Sequence, residues 1–124
     1  MNFKDQVVIV TGAGRGLGTD IAKAFAREGA RVAINYRNSQ EAAEKLALEL
    51  GDMTRPYKAD VRDLDAVRAM VSEVTETLGA PTTIVHNALA DFTFNGDLRK
   101  KLDEISWTDF SAHSETALGG ALNL

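Results

Sequence analysis

The sequence predicts an α/β protein built on a doubly wound parallel sheet, and two observations support this prediction. First, an apolar, β-branched run at residues 7–10 breaks into a glycine-rich stretch at residues 11–18, which leads into helix-forming sequence. Second, short β-branched segments alternate with segments whose apolar residues recur at helical spacing. This alternation is typical of parallel sheets, because each parallel connection must cross back along the sheet, usually as a helix.

Each predicted element follows from local sequence. The first strand lacks polar alternation, as expected for a strand covered on both faces, and glycines end the first two helices. Pro56 is compatible with a position near a strand start. In chain order we predict a strand at residues 6–11, a helix ending at Gly29, a strand at 31–35, a helix from an N-cap at Asn38 or Ser39 to Leu50, a strand at 55–59, a helix from the N-cap Asp63 to Leu78, and a strand at 82–86.

After Asn87 the alternation stops. Residues 88–96 have no clear period and are predicted to form a loop near a site, and residues 98–102 are predicted to form a short helical turn. A last helix is expected to begin after the N-cap Ser106 and to continue to the C-terminus, with weak points at Gly119 and Gly120.

Two helices carry apolar stripes. The stripe of the third helix is expected to be buried, whereas that of the last helix needs a partner. The first stripe contains Leu64, Val67, Met70, Val71, Val74 and Leu78; the second face contains Trp107, Phe110, Ser114, Ala117, Leu118, Ala121 and Leu122.

Composition excludes several function classes. The chain has 124 residues, which suits one domain, residues 1–124, and a formal net charge of −4, which argues against nucleic-acid binding. Its one short basic cluster, residues 99–101, is interpreted as a solvated helix end. There is no cysteine and there are only two histidines, so no metal site is predicted. No membrane span or signal peptide is recognisable, and a cytoplasmic location is expected.

The glycine-rich stretch predicts a phosphate-binding loop. Glycines between a strand and a helix let backbone N–H groups approach a ligand, and the helix N-terminus carries a partial positive charge. The spacing is not G-x-G-x-x-G, because Leu17 stands where the third glycine would be, and no Gly-Lys-Ser/Thr follows as in a Walker loop.

The spacing Thr11-Gly12-x-x-x-Gly16-x-Gly18 resembles the cofactor loop of the short-chain dehydrogenase/reductase family. Further matches are Asp60-Val61 after the third strand, Asn87-Ala88 within the family's Asn-Asn-Ala-Gly motif, and Trp107 with Asp109 at the start of the family's interface helix. The 3-oxoacyl-carrier-protein reductase branch is the most similar. The resemblance implies a Rossmann-type fold, truncated here after strand four and its following helix, and a homo-oligomer for the full-length protein.

The resemblance also implies a nicotinamide dinucleotide cofactor and reduction of a carbonyl substrate, small or acyl-carrier-bound. Its cofactor-binding positions are Gly12, Gly14, Arg15, Gly16, Leu17, Gly18, Tyr36, Arg37, Asp60, Val61, Asn87 and Ala88. Chains that bind NAD usually carry an acid at the end of strand two for the ribose 2′-hydroxyl, whereas NADP binding uses cations for the 2′-phosphate. Tyr36 takes the acid's place here, and Arg37 and Arg15 are cations, so NADP is favoured over NAD.

The chain departs from the family pattern at four points. His86 and Leu89 replace the first Asn and the Gly of the Asn-Asn-Ala-Gly motif, and Ser114 stands at the position of the family's catalytic Asn. We interpret His86 as a strand-end histidine held by hydrogen bonds. The family's Ser and Tyr-x-x-x-Lys are missing, since neither Tyr36 nor Tyr57 has Lys four residues on, and the chain alone is expected to be inactive.

Two hypotheses follow. In the first, the chain is the cofactor-binding half of an NADP-dependent ketoreductase and a piece of a longer polypeptide. In the second, it is a non-catalytic dinucleotide-binding or interaction module that ends natively at Leu124. The first is favoured, because the last predicted helix carries no capping signal at its end.

Overall fold

The computed structural model describes residues 2–91 and 96–124, and only the backbone of Leu98. Four strands form one parallel sheet in the order β3-β2-β1-β4, which confirms the predicted architecture. The strands are β1 Val7–Val10, β2 Arg31–Tyr36, β3 Thr54–Lys58 and β4 Thr83–Val85.

Helices cover both faces of the sheet. They are α1 Gly16–Arg27, α2 Gln40–Leu50, α3 Leu64–Thr77 and α4 Trp107–Ser114, the last continuing through a π-helical turn, Glu115–Gly119, into α5 Gly120–Asn123. Successive strand residues point to opposite faces. Val8 and Val10 therefore pack with α1 and α2, while Val7 and Ile9 pack with α3. Both faces of β1 are apolar, which explains why its sequence shows no alternation.

Several local predictions need correction. The turn predicted at residues 98–102 is wrong: short 3₁₀ turns lie at Gly96–Leu98 and Leu102–Glu104 instead, on either side of it. Leu64 is 40% exposed because it is the first residue of α3, one turn before the buried stripe begins. Ser39 is the N-cap of α2, although its side chain makes no capping hydrogen bond. The predicted loop at 88–96 includes residues 92–95, which lie outside the described residues.

The last helix begins at the predicted N-cap. Ser106 Oγ accepts a hydrogen bond from the Asp109 N–H, and Asp109 Oδ2 accepts one from the Ser106 N–H, which completes a capping box. The pKa of the Asp109 carboxyl is well below its ordinary value, because the Lys100 ammonium and Ser106 donate hydrogen bonds to it.

The apolar face of this helix points to solvent. Thr116 and Gly120 are its buried residues, so the side that packs on the sheet is small. A π turn contains one residue more per turn than an α turn, which rotates the residues after it relative to those before it. The large apolar side chains stay exposed, among them Trp107, Phe110, Leu118 and Leu122.

Two adjacent glycines in this helix should respond oppositely to alanine. At Gly119 an added Cβ meets nothing within 4 Å, so Gly119→Ala should raise the free energy of unfolding by about 1 kcal/mol. At Gly120 it would lie 2.7 Å from Val61 Cγ2 and 3.1 Å from His86 Cε1, so Gly120→Ala should lower that free energy by about 1 to 3 kcal/mol. Urea denaturation of the two variants measures both. Equal shifts would show that the helix does not pack on Val61 as described.

Candidate functional site

The candidate site lies at the carboxyl end of the sheet, where the chain leaves β1 through residues 11–18. β1 is flanked by β2 on one side and β4 on the other, so the strand order reverses at this point. In open α/β sheets the crevice outside such a reversal is where ligands bind.

The glycines of this loop differ in backbone conformation and in the space around them. Gly12 and Gly16 have φ of 62° and 59°, in the left-handed region that favours glycine. A Cβ on Gly12 would lie 2.9 Å from Ala88 Cα, and one on Gly14 would lie 2.9 Å from Ser39 Cβ. At Gly18 it would lie 2.6 Å from both Gly12 O and Asn87 Nδ2. Gly16 alone among these four faces open space, with nothing within 4 Å of the added Cβ.

The first turn of α1 is open to a ligand. Gly16 begins the helix, and the side chain of the N-cap residue, Arg15, does not cap it. Arg15 is exposed, as is Leu17 at 69%. The backbone N–H groups at this end therefore remain available to an anion.

Thr11 ties the loop to the segment that follows β4. Its buried hydroxyl accepts hydrogen bonds from the Asn87 N–H at 2.9 Å and the Ala88 N–H at 3.0 Å. Asn87 Nδ2 in turn donates to the carbonyl oxygens of Thr11 and Gly12, at 3.2 and 3.3 Å. Asn87 and Ala88, both half-buried, thus help to hold the loop in place.

The hydrogen bonds of Thr11 assign the tautomer of His86. With both acceptor positions of the hydroxyl used, its proton is donated to His86 Nδ1 at 3.2 Å. His86 Nε2 therefore carries the ring proton and donates to the carbonyl oxygens of Thr116 and Ala117, both at 3.1 Å. This confirms that His86 is a strand-end histidine held by hydrogen bonds. It connects the glycine loop to the π turn of the last helix.

Asn35 is a central residue of the site that the sequence analysis missed. It is buried in β2, where its Oδ1 accepts from the Gly12 N–H at 3.3 Å and its Nδ2 donates to Ala59 O at 3.0 Å. Its own carbonyl accepts from the Ala13 N–H at 3.0 Å. The signal in the sequence was a polar residue between Ile34 and Tyr36, directly after the apolar run at residues 32–34.

The end of β2 carries the predicted selectivity residues. Tyr36 is buried as the last residue of the strand, and Arg37 follows it. Arg37 forms an ion pair with Asp91, in the segment after β4, with 2.6 Å between Nη2 and Oδ1. Asp91 received no role in the sequence analysis.

Asp60 lies beyond the end of β3 and pairs with Arg62. Arg62 Nη2 lies 2.6 Å from Asp60 Oδ2, and Arg62 Nε donates to Oδ1 at 3.0 Å. This hydrogen bonding lowers the pKa of the Asp60 carboxyl, which keeps it an acceptor. Val61 is buried, and its carbonyl accepts from Asn123 Nδ2 at 2.9 Å.

The residues considered for catalysis belong to elements other than the glycine loop. Ser114 is half-buried on α4 and lines an open groove of about 570 Å³ with Phe110, Ala117 and Leu118. Tyr57 is buried in β3, where its hydroxyl lies 2.6 Å from Thr77 Oγ1 and burial raises its pKa. Leu89, which replaces the Gly of the family's Asn-Asn-Ala-Gly motif, is 74% exposed.

Comparison with known proteins agrees with this geometry. The family model described as short chain dehydrogenase matches residues 6–124. The chain belongs to the short chain dehydrogenase family. Its relatives in this family are oxidoreductases. Within residues 2–91 and 96–124, no helix is long and apolar enough to cross a membrane.

Individual members of the short chain dehydrogenase family are similar along most of the chain. The 3-oxoacyl-(acyl-carrier-protein) reductase FabG of Staphylococcus aureus is 36% identical over 118 residues, which cover 93% of this chain and 46% of that protein. Two of the solved structures that match are each 29% identical to this chain. The 3-ketoacyl-(acyl-carrier-protein) reductase of Brucella melitensis complexed with NADH has a TM-score of 0.80, covering 98% of this chain and 48% of that chain. A short chain dehydrogenase of Burkholderia cenocepacia in complex with NADP has a TM-score of 0.83, covering 99% and 49%.

Two further facts concern these members of the family. Of the two structural neighbours, one is complexed with NADH and the other with NADP. The chain spans less than half of the length of several curated relatives that it matches.

Proposed function

We propose that the chain is the NADP-binding part of a reductase that acts on a carbonyl substrate of the 3-oxoacyl type. The open first turn of α1 at Gly16, next to the exposed Arg15, is the observation that carries the proposal. It leaves the space, the N–H groups and the charge that a pyrophosphate needs. When bound, the nicotinamide supplies the hydride that reduces the carbonyl.

The residues around this turn suit the rest of a dinucleotide. Gly12, Gly14, Gly16, Leu17 and Gly18 would surround the pyrophosphate, and Asn87 and Ala88 are further proposed cofactor-binding residues. Asp60 and Val61, which match the family's adenine-binding positions, would hold the adenine. Arg15 and Arg37 supply cations for a 2′-phosphate, and Tyr36 provides no acid for a 2′-hydroxyl, which favours NADP over NAD.

Substrate and assembly are further parts of the proposal. The 3-oxoacyl class is supported by the reductase relatives, and Ser114 is proposed as a polar group near the reacting carbonyl, at the position of the family's catalytic Asn. Residues that this chain does not contain would transfer the proton. The exposed apolar face at Trp107, Phe110, Leu118 and Leu122 would be covered in a homo-oligomer, because large apolar patches on a protein surface mark interaction sites.

Titration of the chain with NADPH, followed by nicotinamide fluorescence, tests the binding function. We expect saturable binding in which Arg15→Gln raises Kd about tenfold, since it removes one charge-assisted hydrogen bond to phosphate. Arg27→Gln is the matched control, because Arg27 is exposed at the opposite end of α1, and it should change Kd by less than about twofold. No saturable signal for the wild-type chain, or equal effects of both variants, would refute the proposal.

A further inference from the structure

The ion pair between Arg37 and Asp91 joins two segments that come together only in the folded chain. Arg37 follows β2 and Asp91 follows β4, and the two strands lie on opposite sides of β1. The side chain of Arg37 is 29% exposed and that of Asp91 is 77% exposed. The cation that the proposed function gives to the 2′-phosphate is therefore already paired with a carboxylate.

Other charges surround this pair. The neighbouring Asp60–Arg62 pair is close enough for Arg37 to act electrostatically on Asp60, and Glu115 and Asp91 both act on Arg62. The two cations and three carboxylates carry a net charge of −1. Removal of the Asp91 carboxylate would make this group neutral and leave Arg37 without its ion-pair partner.

We propose that Asp91 is a specificity-determining residue. Its carboxylate competes with the 2′-phosphate of NADP for Arg37, and this competition reduces the difference between the affinities for NADP and NAD. The proposal rests on the proposed function. The Asp91 carboxylate repels the 2′-phosphate from the end of β4, as an acid at the position of Tyr36 would repel it from the end of β2. NAD carries only a neutral hydroxyl at this position, which does not compete with the carboxylate for Arg37.

The geometry of the pair makes it displaceable. The short contact joins one nitrogen to one oxygen, Arg37 Nη2 to Asp91 Oδ1, rather than two parallel hydrogen bonds. Exposed ion pairs contribute little free energy, so a phosphate with more than one negative charge can replace the carboxylate. The displaced Asp91 then stays near the phosphate and repels it, which lowers the affinity for NADP only.

Isothermal titration calorimetry of the 124-residue chain with NADPH and with NADH tests the proposal. Asp91→Asn keeps the size of the side chain and removes its charge. We expect its Kd for NADPH to fall about tenfold and its Kd for NADH to change less than twofold. Raising the salt concentration should reduce the gain, because the site is exposed. Asp52→Asn changes the net charge equally at an exposed turn before β3, at the opposite end of the sheet, and should leave both Kd values unchanged.

A double-mutant cycle tests whether Asp91 acts through Arg37. In an Arg37→Gln background, Asp91→Asn should improve NADPH binding much less, because the competed cation is gone. An unchanged NADPH Kd in Asp91→Asn, an equal gain for NADH, or a full gain in the Arg37→Gln background would overturn the role of Asp91. Weakened NADH binding in Asp91→Asn would also overturn it, since the carboxylate would then be a ribose ligand. Absence of binding of either nucleotide to the wild-type chain would instead refute the proposed function, and with it this inference.

Discussion

Asn35→Leu is expected to lower the free energy of unfolding by about 3 to 5 kcal/mol. Leucine has a similar size, but it leaves the half-buried Gly12 N–H without its acceptor and the buried Ala59 O without its donor. Each buried polar group left unpaired costs about 1 to 3 kcal/mol. Because Asn35 joins β2 and the segment after β3 to the glycine loop, the loop should also lose its fixed conformation. Urea denaturation followed by circular dichroism measures the change.

Asn35→Asp distinguishes the two hydrogen bonds of the Asn35 side chain, the one that its oxygen accepts and the one that its nitrogen donates. It keeps an oxygen for the Gly12 N–H but places a carboxylate beside Ala59 O. Burial should raise the pKa of this carboxyl in the folded state, so the stability of the variant should be greatest below about pH 4 and fall as pH rises. Asn38→Leu is the matched control, because Asn38 is exposed two residues after β2, and it should change stability by less than about 0.5 kcal/mol. A small effect of Asn35→Leu, or a pH-independent Asn35→Asp, would contradict the role given to Asn35.

The sheet and its first three helices could be predicted because their signals are local. The run at residues 7–10 is apolar at every position, which only a strand covered on both faces tolerates. Asp63 caps α3 as expected, with its Oδ1 accepting from the N–H groups of Asp65 and Ala66. Gly29 and Gly51, just beyond the ends of α1 and α2, have positive φ, so the glycine signals for helix ends were sound.

The interactions that hold the site together could not be predicted, because they depend on segments far apart in the sequence. Asn35 is satisfied only when β3 and the glycine loop are both in place. Arg37 could be recognised as a cation near strand two, but its partner, Asp91, lies 54 positions further on. The π turn of the last helix has no local sequence pattern either. It is the place where His86 donates to two backbone carbonyls that an α-helix would use internally.

The predicted helical turn at residues 98–102 was wrong for a related reason. Its short run of leucine and basic residues has no apolar face that packing could stabilise, and short helices are marginal without packing. All the described side chains around it are exposed. By contrast, the start of the last helix was predicted correctly, because Ser106 and Asp109 form a capping box from neighbouring residues alone.

Gly18→Ala is expected to lower the free energy of unfolding by at least about 3 kcal/mol and to abolish NADPH binding. The added Cβ would lie 2.6 Å from Gly12 O, 2.6 Å from Asn87 Nδ2 and 2.9 Å from Ala13 Cα. Two of these three atoms belong to the backbone and cannot rotate away, so the loop or the start of α1 must move. Thermal or urea denaturation and an NADPH titration on the same sample measure both effects.

Gly16→Ala is the comparison that separates a folding role from a binding role within the same loop. Its Cβ meets no protein atom within 4 Å, so the cost in stability should be only the about 1 to 2 kcal/mol of placing alanine at a φ of 59°. If the open space at Gly16 is where the pyrophosphate lies, this methyl should nevertheless weaken NADPH binding strongly in a chain that remains folded. A folded Gly16→Ala chain with wild-type affinity would mean that the ligand lies elsewhere. A stable Gly18→Ala chain would mean that α1 does not pack on the loop as closely as the distances indicate.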